Sequence, residues 1–296
     1  MYEQISSNIW RSRLLILFFI LLVGAVGYGF YLYYGSPIAI AAALAFAIFS
    51  TVGSFYYSDQ IVLASTGARP ADKEEFPHYV NSVEGLAIAA GLPCPRIYVI
   101  DDPAPNAFAT GRDPEHAVIC ATTGLIGMMN RVELEGVIAH EMSHIKNYDI
   151  RFMMLVTVLV GMIALLADWF WWSGRLGGFS RESRDRDDSQ GQTIFFVIGI
   201  VLAILAPIAA VMVQAMISRR REYFADASGA MLTRYPDGLA SALEKIASDP
   251  HAMAGANKAT AHLFIANPLK DHGGSMNSLF DTHPPLEDRI EKLREM

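Results

Sequence analysis

Four apolar runs limit what this chain can become more than any other feature. They cover residues 14–34, 38–57, 152–172 and 193–217, and each is long enough for a helix to cross a hydrocarbon core of ~30 Å. Inside lipid every backbone N–H and C=O must be satisfied within the protein, so isolated runs of this kind become helices. Gly35-Ser36-Pro37 makes a tight turn between the first two, which together read as a transmembrane hairpin. The third run ends in Trp169-Phe170-Trp171-Trp172, an aromatic cluster suited to a membrane–water interface. Pro207 is tolerable in the fourth, where neighbouring helices re-satisfy the freed backbone. A composition that is 52% hydrophobic agrees with this reading. A cleaved signal peptide would carry a shorter apolar region followed by a small-residue cleavage site. A buried helical hairpin is the other reading of runs three and four, and their length argues against it.

The runs divide the chain into a tail and hairpin (1–57), a membrane pair (152–217) with a polar Gly-, Ser-, Arg- and Asp-rich loop at 173–192, and two stretches, 58–151 and 218–296, with the composition of a soluble α+β domain. In the first stretch the pattern predicts a helix over Asp72–Ala90, strands over Arg96–Ile100, Asn106–Thr110 and His116–Ala121, and a short helix over Leu125–Met129 capped by Thr122 or Thr123. A helix over Arg131–Asn147 follows. In the second stretch helices are predicted over Ser218–Thr233, Pro236–Ala247 and Leu286–Glu295, the last after a Thr282-His283-Pro284-Pro285 turn. Residues 251–274 carry no clear pattern.

Charge and cysteine content narrow the partners. A net charge of −7, with no basic stripe and interleaved aromatics, argues against nucleic acid. Cys94 and Cys120 are far apart and read as free thiols, which suits a reducing compartment. With four spans, Arg11, Arg13, Lys146, Arg151, Arg219, Arg220 and Arg221 share one side and Arg175, Arg181, Arg184 and Arg186 the other. Seven against four places the amino terminus and the soluble domain in the cytoplasm.

The chemistry is carried by His140-Glu141-Met142-Ser143-His144. On a helix, positions i and i+4 share a face, so His140 and His144 project together and can grip one zinc ion. Glu141 can then reach an attacking water without binding the metal. A catalytic zinc takes three protein ligands, and Glu222 is the candidate for the third. It lies just after run four as His144 lies just before run three, so an antiparallel pair brings both to one membrane face. Asp226, one helical turn on, can accept a hydrogen bond from a ligand histidine, His140 in preference. A solvated charged face paired with Arg219–Arg221 is the plainer reading of Glu222 and Asp226. The chemistry also needs a donor for the developing oxyanion. His283 and Tyr223 are both candidates, and His283 could equally serve to lock the Pro284-Pro285 turn. Asn106–Thr110 reads as an edge strand to which an extended substrate could add, with an ordinary sheet edge as the alternative.

The chain resembles the HtpX-type integral-membrane zinc metalloendopeptidases, relatives of the CAAX prenyl endopeptidases. The resemblance rests on Asn106-Ala107-Phe108-Ala109-Thr110-Gly111, on the Glu133 to Glu141 run, on Arg221 to Asp226 and on Thr282-His283-Pro284-Pro285. It implies His140, His144 and Glu222 as ligands of one zinc per chain, Glu141 as the catalytic residue, and Asn106, Ala107 and Phe108 against the substrate backbone. It further implies a multi-pass protein of the inner (cytoplasmic) membrane with its active site facing the cytoplasm. Its substrates would be damaged or misfolded membrane or membrane-associated proteins, often under stress. The expected architecture is a membrane α-helical protein of four transmembrane helices carrying a zincin-like α+β metallopeptidase domain. A narrow CAAX-type processing peptidase and a zinc-stabilised scaffold or chaperone without proteolysis are the rival readings, and the oligomeric state is open.

Overall fold

The computed structural model describes residues 6–18, 20–21, 24, 41, 45, 49, 52–53, 55–156, 219–254, 260, 263–268 and 284–296. The chain divides into two compact units, one of residues 1–9, 56–154 and 216–296, the other of residues 10–55 and 155–215. The expected spans at 14–34, 38–57 and 152–217, with the loop at 173–192, fall largely outside the described residues. Among the described residues no helix is long and apolar enough to cross a membrane. The described residues of the second unit are helical, and Leu14, Leu17, Leu21 and Phe49 turn their side chains outward.

The first unit carries the α+β part. A helix, α1 (Ser58–Thr66), ends at Gly67 in the left-handed region and leads into a four-stranded sheet. The strands are β1 (Arg69–Pro70), β2 (Arg96–Ile100), β3 (Ala107–Thr110) and β4 (Val118–Thr122), in the order β1-β2-β4-β3. β2 and β4 run parallel, with Tyr98 opposite Cys120, while β3 returns antiparallel to β4 with Phe108 opposite Cys120. β3 is therefore the strand at one end of the sheet. The helix α2 (Pro77–Ala90) starts later than the periodicity from Asp72 suggests, because Pro77 needs no N–H partner and suits the first helical turn. β4 begins at Val118 because Pro114–His116 form a 3-10 turn held by Asp113, whose carboxylate accepts from the His116 N–H.

A short helix, α3 (Thr123–Met128), is capped by the Thr122 hydroxyl. The central helix α4 (Arg131–Lys146) is started by a capping box. The Asn130 side chain accepts from Glu133 N at 3.0 Å, and Glu133 Oε2 accepts from Asn130 N at 2.8 Å. Leu134, Val137, Ile138, Met142 and Ile145 are all buried. They pack with Ala107, Ala109, Ile119 and Ala121 of the sheet in one apolar core. Three further helices follow among the described residues of the unit: α5 (Arg219–Thr233), α6 (Pro236–Ser248) and α7 (Leu286–Arg294).

Gly136 and Gly229 are among the glycines that let helices approach α4 closely. A methyl group at Gly136 would sit 2.7 Å from the backbone nitrogen of Leu239 on α6. One at Gly229 of α5 would sit 3.0 Å from the backbone nitrogen of His140. The second approach fixes the site, because Glu222, Asp226 and Gly229 share one face of α5 at helical spacing. Lys245 of α6 reaches Glu133 at 2.7 Å and ties that helix to the start of α4.

Candidate metal centre

α4 presents His140 and His144 one turn apart, both buried, with their Nε2 atoms 3.2 Å from each other. α5 brings the carboxylate of Glu222 to 3.7 Å from His140 Nε2 and 3.6 Å from His144 Nε2. Among the described residues, His140, His144 and Glu222 form a cluster whose ligand atoms lie within 4.8 Å of one another. For ligands ~2.0–2.1 Å from a tetrahedral zinc, neighbouring donor atoms stand about 3.3 Å apart. The nitrogen pair is close to that spacing already.

Both rings are held from behind. His140 Nδ1 lies 2.9 Å from Asp226 Oδ1, and His144 Nδ1 lies 3.2 Å from Asp149 Oδ2. An ionised carboxylate only accepts, so both histidines donate from Nδ1 and their Nε2 atoms meet at one point. Two Nε2 atoms at this distance require either a proton or a metal cation between them. The residues present thus fit the two-histidine, one-glutamate donor set of a catalytic zinc.

Charge in the metal-free pocket follows from the same contacts. Burial pushes the Glu141 carboxyl up to about 7, and the charge of Glu222 adds to it, against the pull of His144 and a hydrogen bond from the Ala109 backbone. Burial works to lower His144, but the Asp149 hydrogen bond and the charges of Glu222, Asp149 and Glu141 outweigh it and raise the imidazole to about 9. His140 is lowered by burial despite the Asp226 hydrogen bond. Burial alone would raise Asp226, yet the Arg289 charge and the donors from His140 and Arg289 bring it down to about 2.

Arg289 of α7 is fully buried and is a residue that spacing did not single out. It holds Asp226 with two hydrogen bonds, Nε to Oδ2 at 2.9 Å and Nη2 to Oδ1 at 2.7 Å. Its Nη1 donates to the Ile265 carbonyl at 3.2 Å and stands 3.8 Å from Glu222 Oε2. Asp149 is the other residue missed, since it lies beyond the end of α4, where helical spacing says nothing.

The free edge of β3 is occupied by the chain itself. Ile265 N donates to the Ala107 carbonyl at 2.9 Å, and Phe108 and Phe264 form an antiparallel bridge with their rings edge to face. The Asn106 side chain donates to the Ala266 carbonyl at 2.9 Å while its oxygen accepts from the Ala107 N–H at 3.1 Å. A void beside His140, His144 and Glu222 is bounded by Ala109, Glu141, Ile150, Met153 and residues 263–265. It has room of about 10 Å³, enough for one water centre. Tyr223 stands beside Glu222 on α5 with Lys292 Nζ 3.4 Å from the centre of its ring. His283 lies outside the described residues.

Residues 74–296 match the family described as Peptidase family M48. Over its whole length the chain is 47% identical to a protein of Dictyoglomus thermophilum named Protease HtpX homolog, covering 94% of that protein. It is 48% identical to a protein of the same name from Caldanaerobacter subterraneus, covering 98% of it. A similar protein from Ligilactobacillus salivarius is 42% identical and matched along its full length. Among solved structures, that of S. mikatae Ste24p shares the fold over 92% of this chain, with a TM-score of 0.54 and 20% identity. This chain spans 62% of that one.

Proposed function

Since the chain belongs to peptidase family M48 and is a metalloprotease, we propose that it is a zinc-dependent endopeptidase of the membrane, acting on misfolded or damaged membrane proteins in quality control. The observation that carries the chemistry is the convergence of His140, His144 and Glu222 on one point, with Glu141 buried beside it. His140, His144 and Glu222 would hold the metal. When bound, a zinc ion polarises a carbonyl and acidifies a coordinated water.

The chain's own residues do the rest. Asp226 and Asp149 keep His140 and His144 in the tautomer that leaves Nε2 free. A Glu141 carboxylate oxygen takes the proton of the attacking water and delivers it to the leaving amine. Tyr223 and His283 are the candidate donors to the developing negative oxygen, and Tyr223→Phe and His283→Gln separate them by which one lowers kcat. Asn106, Ala107 and Phe108 offer the substrate a strand edge, and main-chain pairing makes few demands on its sequence. A substrate that adds to β3 takes the place of residues 263–266. A non-proteolytic scaffold would have no use for a buried carboxylate aimed at the metal pocket.

Membrane action is supported by the four apolar runs and by the outward-facing Leu14, Leu17, Leu21 and Phe49, a surface that costs solubility unless covered by lipid or protein. The test is cleavage of an unfolded membrane protein by the full chain in detergent. Proteolysis should stop with a chelator, return with zinc, and be absent in Glu141→Gln, which should still bind the metal. Chelator-insensitive cleavage, or near-normal turnover by Glu141→Gln, refutes the reading.

A further inference from the structure

Asp149 is placed by an unusual turn. α4 ends at Lys146, and Tyr148 then takes φ 58°, a left-handed conformation sparsely populated by residues other than glycine. Such a residue persists only where its surroundings over-determine it. The turn swings the chain back so that the Asp149 carboxylate reaches His144 Nδ1.

What pins the turn comes from the far end of the sequence. Asn8 is buried, and its single Nδ2 donates to Asp149 Oδ1 at 2.7 Å and to the Asn147 carbonyl at 2.9 Å. Both partners are acceptors, so the amide orientation is set: both of its hydrogens are used on the turn. One oxygen of Asp149 thus faces the ligand histidine and the other faces Asn8. A buried carboxylate held at both oxygens has one orientation; released at one, it can rotate away from the ring.

We propose that Asn8 is a positioning residue of the metal centre, holding Asp149 so that Asp149 holds His144. Asn8 then belongs to the support of the site, and His144 keeps one orientation only while Asn8 keeps its two hydrogen bonds. This rests on the reading of His140, His144 and Glu222 as metal ligands.

The experiment uses the full chain in detergent and measures zinc affinity by competition with a chelator, together with the visible spectrum of the cobalt(II)-substituted protein. Asn8→Ala should weaken zinc binding about tenfold, the lower end of losses seen for outer partners of ligand histidines, and should change the cobalt spectrum. Because Asn8 acts through Asp149, Asn8→Ala should cost nothing further in an Asp149→Asn background, whereas a merely structural role would add. Asn8→Ser, which keeps one donor of two, is read in the same way should Asn8→Ala not fold. Wild-type affinity and spectrum in the Asn8 variants, or additive losses in the double variant, overturn the proposal. His144→Ala in the same titration tests the underlying reading: if it binds zinc normally, the ligand assignment fails and the proposal with it.

Discussion

Arg289 grips both carboxylate oxygens of Asp226 from a position with no solvent exposure, at 2.9 and 2.7 Å. Asp226 in turn faces His140 Nδ1, so a cation on α7 sets the orientation of His140, a proposed metal ligand on α4, through a carboxylate on α5. The same guanidinium holds the Ile265 carbonyl, which links residues 263–266 to the ligand shell.

This pair should be costly to break. Removing one partner of a buried ion pair leaves the other charge uncompensated, typically at ~3–5 kcal/mol. Arg289→Met should lose about that much stability in chemical unfolding of the metal-free protein, and Arg289→Lys less, because an ammonium keeps the charge without the two-pronged grip. Wild-type stability in Arg289→Met would show that Asp226 does not depend on it.

Glu222 and Asp226 should fail differently. Glu222→Gln removes a charged ligand and should leave little zinc and no activity. Asp226→Asn leaves the three ligands in place, and its effect should be about 10–100-fold in affinity or turnover, with zinc retained when metal is in excess. Elemental analysis and chelator competition distinguish the two. Zinc binding by Glu222→Gln equal to wild type would place the third ligand elsewhere.

The pairing of residues 263–266 with β3 predicts competition with substrate. Ile265→Pro removes the N–H that donates to Ala107 and should weaken this segment's hold on the strand. The expected result is a lower KM for an extended peptide with kcat little changed. A higher KM would mean that the segment forms a wall of the substrate site and is not displaced from it.

Topology follows from the Lys and Arg distribution. Reporters placed after Gln60 and after Met296 should both read cytoplasm, and one within 177–189 should read the opposite side. A cytoplasmic signal from that loop would mean that runs three and four do not cross.

The elements of the first unit were legible because their signals are local. The predicted helix over Arg131–Asn147 is α4 to within a residue, and the Thr122 cap, the strand at Arg96–Ile100 and the helix from Leu286 appear where the pattern puts them. Boundaries moved where a proline or a cap decided, as at Pro77 and Asp113. The capping box of Asn130 and Glu133 stood in the sequence unread, masked by the stronger motif downstream.

By itself, the sequence determined what a helical repeat can carry. His140 and His144 share a face because they are four residues apart, and Glu222 and Asp226 do so for the same reason. Asp226 behind His140 was legible in the same way, and only the tertiary structure decided which other groups support them. Asp149 meets His144 across a left-handed turn, Arg289 meets Asp226 at a separation of 63 residues, Asn8 meets Asp149 at 141, and Asn106 meets Ala266 at 160. No spacing rule selects these partners, because at such distances the choice among many carboxylates, amides and arginines is made by packing. Gly229 lets α5 approach α4 closely enough for one carboxylate to face the metal point and the next to face the ring behind it. Burial then favours a partner for each polar group, wherever in the chain that partner lies.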